Sequence, residues 1–341
     1  MARGELLRKL FESYARGDDH AFRSAALQII AEEQQKQNHS LARDLLNMLE
    51  NPSNLKTGRS VAGGPLTNIP KDRERLSPLV DVRTPVHALS DIILPEKMQS
   101  QLSRVLDEYR RAELLKMHGM RPMHKLLFCG PPGCGKSLCS EIIAAELNVP
   151  LLYTRFDAIV SSYLGETSAN LRKVFDYASS NTWVVLFDEF DAIGKSRTDM
   201  SEHGELKRVV NSFLQLLDSY QGNSIIIAAT NHQTLLDHAL WRRFDEVFEF
   251  NKPNMEEIRA LLRLKLRNFP QKNTDLASIA KRAKGMAHSE VEWVCQDAIK
   301  SAILNDIDAV TQNMLEKSIA RQQERTKLRS LSPHKVALKA R

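Results

Sequence analysis

Residues Gly130-Pro131-Pro132-Gly133-Cys134-Gly135-Lys136-Ser137 follow a short apolar run, Leu126-Leu127-Phe128-Cys129, and precede a helix-like segment over 138–147. Strand, glycine-rich turn and helix in that order confine the chain to folds in which a buried strand delivers a phosphate-binding loop to a helix N-terminus. Glycines let consecutive backbone N–H groups curl around phosphate oxygens, and the helix dipole adds positive charge there. Lys136 is placed to reach the outer phosphates and Ser137 to offer a hydroxyl to Mg²⁺, so the expected nucleotide cradle runs from Gly130 through Leu138.

The chain has 341 residues, room for two or three domains, and 42% apolar residues, enough for a sizeable core. No apolar run approaches a membrane span, the longest being 184–187 and 225–229. The opening Met1-Ala2-Arg3-Gly4-Glu5 is charged and lacks a signal-peptide core. These features predict a cytoplasmic protein with no membrane partner. The net charge of +6 invites a nucleic-acid reading, but residues 317–341 alone carry eight Lys/Arg against the single acid Glu324, which leaves the rest of the chain at −1. The basic excess belongs to a tail, which reads either as a solvated end or as a binding segment for nucleic acid or an acidic partner. Cys129, Cys134, Cys139 and Cys295 match neither a zinc pattern nor a secreted disulfide framework and read as reduced thiols. Cys134, inside the loop, reads as filler or as an oxidation-sensitive brake on nucleotide binding.

Residues 1–50 show three apolar stripes at helical spacing: Leu6/Leu7/Leu10/Phe11/Tyr14, Phe22/Ala25/Ala26/Ile29/Ile30 and Leu41/Leu45/Leu46/Met48/Leu49. They predict a small helical unit, an adaptor or a stabilising appendage. Pro and Gly then break every periodic pattern over 51–86, which predicts a linker. Over 87–252, apolar strands at 126–129, 151–154, 184–187, 225–229 and 247–250 alternate with helices, the pattern of a parallel sheet covered on both faces. Residues 253–325 read as helical throughout, a lid, and 326–341 as the basic C-terminal tail.

The apolar strand 184–187 ends in Asp188-Glu189. A strand tip beside the phosphate loop is where a Mg²⁺ ligand is needed, so Asp188 is assigned to the metal's shell and Glu189 to activation of the attacking water. With these residues in place the sequence resembles the AAA family of ATPases over about 88–310. That resemblance implies an α/β fold: a P-loop nucleotide-binding domain on a parallel sheet, with a C-terminal helical lid, here preceded by a small N-terminal helical domain. Ala228-Ala229-Thr230-Asn231 is similar to the family's first sensor, in which Asn231 would hold the lytic water. The stretch 236–245 is similar to the family's arginine-finger region, with Arg242 and Arg243 adjacent as in the katanin- and spastin-like branch; both are nominated. Their positive charge, lent by a neighbouring subunit, would stabilise the phosphoryl transition state.

Further stretches extend the likeness. Tyr163-Leu164-Gly165 resembles the aromatic pore loop that grips an extended polypeptide, a task suited to a ring that buries area without demanding sequence. Leu216-Leu217-Asp218 resembles an intersubunit signalling turn, and Ser90-Asp91-Ile92-Ile93 occupies the place of the adenine cradle without its usual glycine. Residues 285–291 resemble the lid motif near the base, with His288 where a glycine is expected; that histidine reads either as a base-stacking group or as a satisfied lid residue. The resemblance implies ATP and Mg²⁺ as cofactors and a homo-hexameric ring that remodels a protein partner by pore threading. There is neither a His-Glu-x-x-His helix nor a nucleophile elbow, so degradation would need a separate peptidase, and an adaptor remains open as a further partner. The alternative function is an ATP-dependent nucleic-acid loader anchored by the basic tail.

Overall fold

Strand β2 (Lys125–Cys129), next to one edge of the main sheet, is hydrogen-bonded in parallel to β5 (Ile225–Thr230) on one side and to β6 (Glu246–Glu249) on the other. The structure, a computed structural model, describes residues 24–29, 31, 69–72, 77–154, 159, 164–190, 202–231 and 241–330. The chain divides into two compact units, Met1–Gly64 and Pro65–Arg341. In the first, residues 24–29 and 31 are helical and Ala25 is buried; the other expected stripes lie outside the described residues.

The second unit is built on a six-stranded sheet of order β1-β3-β4-β5-β2-β6. β3 (Leu151–Thr154), β4 (Val184–Phe187), β5, β2 and β6 run parallel, while β1 (Val80–Arg83) closes the β3 edge antiparallel, with Val80 opposite Thr154. All four residues of β4 and all six of β5 are buried, as apolar strands covered on both faces should be. Side chains alternate between two cores. Leu127, Val185, Phe187, Ile226 and Ala228 face helices α4 (Leu164–Ser180) and α5 (Glu202–Ser219), through residues such as Leu171, Phe175, Phe213 and Leu217. Leu126, Phe128, Val184, Leu186 and Ile227 face α1 (Glu96–Arg110) and α3 (Lys136–Glu146), through Leu102, Val105 and Ile143. A short helix α2 (Ala112–Met117) connects α1 to β2.

Four helices form a separate core beyond the sheet: α6 (Met255–Leu266), α7 (Leu276–Arg282), α8 (His288–Leu304) and α9 (Gln312–Ser330). The five strands expected from sequence are all present, displaced by at most one residue at either end. Three expectations are corrected. The lid is not wholly helical, because β7 (Gln271–Lys272) pairs in parallel with β8 (Val310–Thr311); two-residue strands are too short to leave a periodic signal. The stretch expected as linker contains β1 and an antiparallel pairing of residues 70–72 with 77–79, which prolines at 70 and 78 hide in the sequence. α9 also continues to Ser330, five residues into the expected tail. Among the described residues, no helix is long and apolar enough to cross a membrane.

Candidate functional site

The phosphate loop leaves the carboxyl end of β2, where the chain crosses over β5 and β4 to reach β3. Crevices in open α/β sheets form at such reversals of strand order. Gly130, Gly133 and Gly135 have φ of 142°, 74° and 99°, all in the region that favours glycine. At Gly130 close approach adds to this demand: a Cβ there would lie 1.9 Å from the Phe250 carbonyl oxygen. Gly135 is the left-handed N-cap of α3, and Cys139 N donates back to its carbonyl at 2.8 Å. The loop therefore delivers Lys136, Ser137 and Leu138 on the first turn of an eleven-residue helix.

Lys136 is buried, and its Nζ donates to the Gly130 carbonyl at 2.7 Å, the Pro131 carbonyl at 3.0 Å and Asn231 Oδ1 at 2.8 Å. Asn231 stands directly after β5, which explains how a residue 95 positions away reaches the loop. Ser137 Oγ donates to Asp188 Oδ2 at 2.7 Å, while Asp188 Oδ1 accepts from Glu189 N at 2.9 Å. Glu189 takes a φ of 54°, unusual for a side-chain-bearing residue and common where a strand tip turns towards a site. Its carboxylate is exposed. Thus Lys136, Ser137, Asp188, Glu189 and Asn231 converge at one end of the sheet.

The C-terminal helices touch the loop directly. Ser289 N donates to the Gly133 carbonyl at 2.9 Å, and a Cβ on Gly133 would meet Ser289 Oγ at 2.1 Å. Lys252 Nζ donates to the Gly285 carbonyl at 2.7 Å, linking the chain after β6 to the turn before α8. Ile92, expected near the base, lies against the loop: a Cβ on Gly135 would sit 3.5 Å from its Cδ1. Both ring nitrogens of His288 are enclosed and have no hydrogen-bond partner among the described residues. Burial holds its pKa below the ordinary histidine value, and Glu257 opposes this only in part. Burial likewise pushes the Cys134 thiol up, partly countered by Lys136, and drives Cys129, Cys139 and Cys295 to about 12. A protonated, enclosed thiol is a poor nucleophile, which favours the filler reading of Cys134 over the brake.

Arg242 and Arg243 lie elsewhere. Asp245 N donates to the Lys125 carbonyl at 2.8 Å, and Asp245 Oδ2 accepts from His124 N and Lys125 N at 2.9 Å. This clamp fixes the arginines at the amino end of β2, whereas the phosphate loop begins at its carboxyl end, about 13 Å further along the strand. Arg243 Nε pairs with Asp218 Oδ2 at 2.9 Å, near the end of α5, while Arg242 is exposed. Sequence reasoning missed the clamp and the ion pair because their partners are 120 and 25 residues apart and leave no local pattern. Leu164 and Gly165 form the first turn of α4; Tyr163 lies outside the described residues.

A parallel sheet that gathers a lysine, a hydroxyl, two acids and an asparagine around such a loop is a P-loop nucleoside triphosphatase. A family model described as ATPase family associated with various cellular activities (AAA) matches residues 126–252. An uncharacterized AAA family ATPase, y4kL, of Sinorhizobium fredii is 44% identical over 304 residues, which is 89% of this chain and 90% of that protein. The chain belongs to the AAA family of ATPases, whose general activity is ATP hydrolysis. More distant relatives include the ATP-dependent zinc metalloprotease FtsH 3 of Sphaerobacter thermophilus, 31% identical over 73% of this chain and 52% of the relative. The proteasome-activating nucleotidase of Pyrococcus abyssi is 31% identical over 69% of this chain and 64% of the relative. The chain thus spans between half and two thirds of the length of these two.

Proposed function

We propose that the protein is a Mg²⁺-dependent, ring-forming ATP motor that threads a segment of a protein partner through its pore. The reading rests above all on the separation of Arg242 and Arg243 from the phosphate loop of their own chain by the length of β2. A site that needs positive charge on its outer phosphate must then take it from another copy, and heterologous contacts that close on themselves make rings. The family's hexamer is the natural closed form.

The residues present fit a nucleotide with its metal. Glycines at positive φ and a helix N-terminus suit phosphate oxygens, and the Ser137 hydroxyl and Asp188 carboxylate are adjacent hard oxygen donors of the kind Mg²⁺ takes. When bound, Mg²⁺ would neutralise charge on the phosphates. Lys136 exchanges its bonds to the loop carbonyls for phosphate oxygens, Glu189 accepts a proton from water, and Asn231 orients that water. The lid, seated on Gly133 through Ser289, excludes solvent from the base.

Threading draws support from two features. Leu164 and Gly165 of the candidate loop open the helix that follows β3, and relatives are named for proteolysis and proteasome activation. Replacing Tyr163 by Ala tests it: basal hydrolysis should persist within about twofold while remodelling of a protein client is lost. Equal loss of both would reject threading. The nucleic-acid alternative is weakened because α9 uses two of its basic residues internally, Arg321 on Asp297 at 3.2 Å and Arg325 over the Trp293 ring at 4.4 Å.

A further inference from the structure

The second half of α9 is held in a way that apolar packing does not explain. Leu315 and Ile319 are buried in the core of the C-terminal helices, but over 320–328 the one buried side chain is polar, Gln322, at 5% exposure. Polar contacts hold this stretch to α8 instead. Arg321 pairs with Asp297 at 3.2 Å and Arg325 lies over the Trp293 ring at 4.4 Å, on the third and second turns of α8. Gln322 Nε2 and Thr326 Oγ1 donate to Glu290 Oε1 at 3.2 and 3.0 Å, on its first turn. The Thr326 hydroxyl also lies 3.0 Å from the Gln322 carbonyl, but a carboxylate is the stronger acceptor. Arg321 and Arg325 suffice to keep the helices together. The contacts on Glu290 do something more.

Glu290 closes the start of α8, because its Oε2 accepts from Ala287 N at 2.8 Å. Burial pushes its carboxyl up, yet the Ala287 amide, Thr326, Gln322 and nearby Lys252 outweigh burial and leave it below the ordinary value. It is an ionised acceptor. One residue earlier, Ser289 N donates to the Gly133 carbonyl at 2.9 Å, and Ser289 Oγ fills the space where a Gly133 side chain would stand. Every peptide bond described here is trans, so the carbonyl and N–H of each unit point in opposite directions. Holding the Gly133 carbonyl on α8 therefore fixes the direction of the Cys134 N–H, one of the consecutive loop N–H groups offered to phosphate.

We propose that Glu290, Gln322 and Thr326 are positioning residues for ATP: through Glu290, α9 holds the start of α8 on the phosphate loop and so sets how tightly that loop binds phosphate. Thr326 is exposed, so nucleotide affinity is adjustable from the outer surface of the C-terminal helices. The inference takes ATP binding as given and depends on neither the ring nor threading.

Direct binding to the full-length protein tests it, by displacement of a fluorescent ADP analogue with ATP and, separately, with inorganic tripolyphosphate, both with Mg²⁺. Thr326→Val keeps the shape and removes the hydroxyl; Gln322→Met keeps the buried length and removes the amide. Each should weaken ATP and tripolyphosphate alike, about fivefold, and the double variant about tenfold or more. Thr326→Ser restores the hydroxyl and should bind both within about twofold of wild type. In turnover, KM for ATP should rise by the same factor with kcat at saturating ATP within about twofold, the mark of lost binding rather than of damaged chemistry. Amides of 287–291 should exchange about fivefold faster while those of 258–266 keep the wild-type rate. Weakened ATP with unchanged tripolyphosphate, unchanged binding of both in the double variant, unchanged exchange at 287–291, or failure of Thr326→Ser to restore binding would each overturn the proposal. Should Gln322→Met loosen the whole chain, Thr326→Val decides by itself. Failure of the ring reading would show as weak turnover in wild type and variants alike, and the binding and exchange results then decide.

Discussion

At the scale of single residues, the site depends on backbone conformations that few side chains tolerate. Gly130→Ala would force a φ of 142° on an L-residue and drive its Cβ into the Phe250 carbonyl, whose own N–H is bonded to Cys129. It should destabilise the protein by about 2–4 kcal/mol in chemical denaturation and abolish nucleotide binding. Glu189→Gln keeps the shape of the strand tip but cannot accept a proton. It should bind ATP normally and lower turnover by about 10²–10⁴ in a steady-state assay. His288 gives the pH dependence. Its folded pKa is lowered by burial, so between that value and the unfolded value near 6.5 the unfolded chain binds more protons than the folded one. The stability it contributes is therefore intact above that window and falls as pH is lowered through it, by at most about 1.4 kcal/mol per pH unit for one proton. Thermal melts from pH 7.5 to 5 should lose that slope in His288→Leu; an identical slope would remove His288 as its source.

Between elements, local pattern and tertiary placement part company. Lys136, Ser137, Asp188 and Asn231 could be read from sequence because Asp188 and Asn231 stand immediately beyond apolar strands, Lys136 and Ser137 close the glycine loop that follows a third, and parallel strands bring their carboxyl ends together. The positions of Arg242 and Arg243 could not, since they depend on Asp245 capping the start of β2 and on an ion pair to α5. β1 escaped notice because its pairing with β3 is long-range and its flanks are rich in proline. The ion pair distinguishes the two arginines. Arg243 is held by Asp218 across partly exposed surface, a contact worth less than about 1 kcal/mol, so stability should hardly respond to its loss. Arg242 is the exposed, readily extended one. Arg242→Ala should then reduce turnover about 10³-fold or more, and Arg243→Ala less. Asp218→Ala should leave the melting temperature nearly unchanged while altering turnover; the reverse order for the two arginines would show that Arg243 swings free of Asp218 in the assembled ring.

For the whole molecule, the distance between Arg242 and the phosphate loop within one chain leads to an experiment that tests the proposed ring without a protein partner. Lys136→Ala destroys a chain's own phosphate site but leaves its arginines to serve a neighbour. Arg242→Ala does the opposite. If the chain forms the proposed ring, each protein alone should be nearly inactive, because every site then lacks one of the two groups. When the two are mixed under conditions that let subunits exchange, an Arg242→Ala chain seated against the finger of a Lys136→Ala chain regains a complete site. Random mixing of equal amounts should produce about a quarter of such junctions, so turnover should rise from near zero towards that fraction of wild type. The rise should also steepen with total protein concentration, since rings form by mass action. Should each protein's turnover be simply additive in the mixture at every concentration, the arginines act within their own chain. The two ends of β2 would then have to approach each other by a rearrangement of the sheet itself, which close-packed layers on both faces oppose.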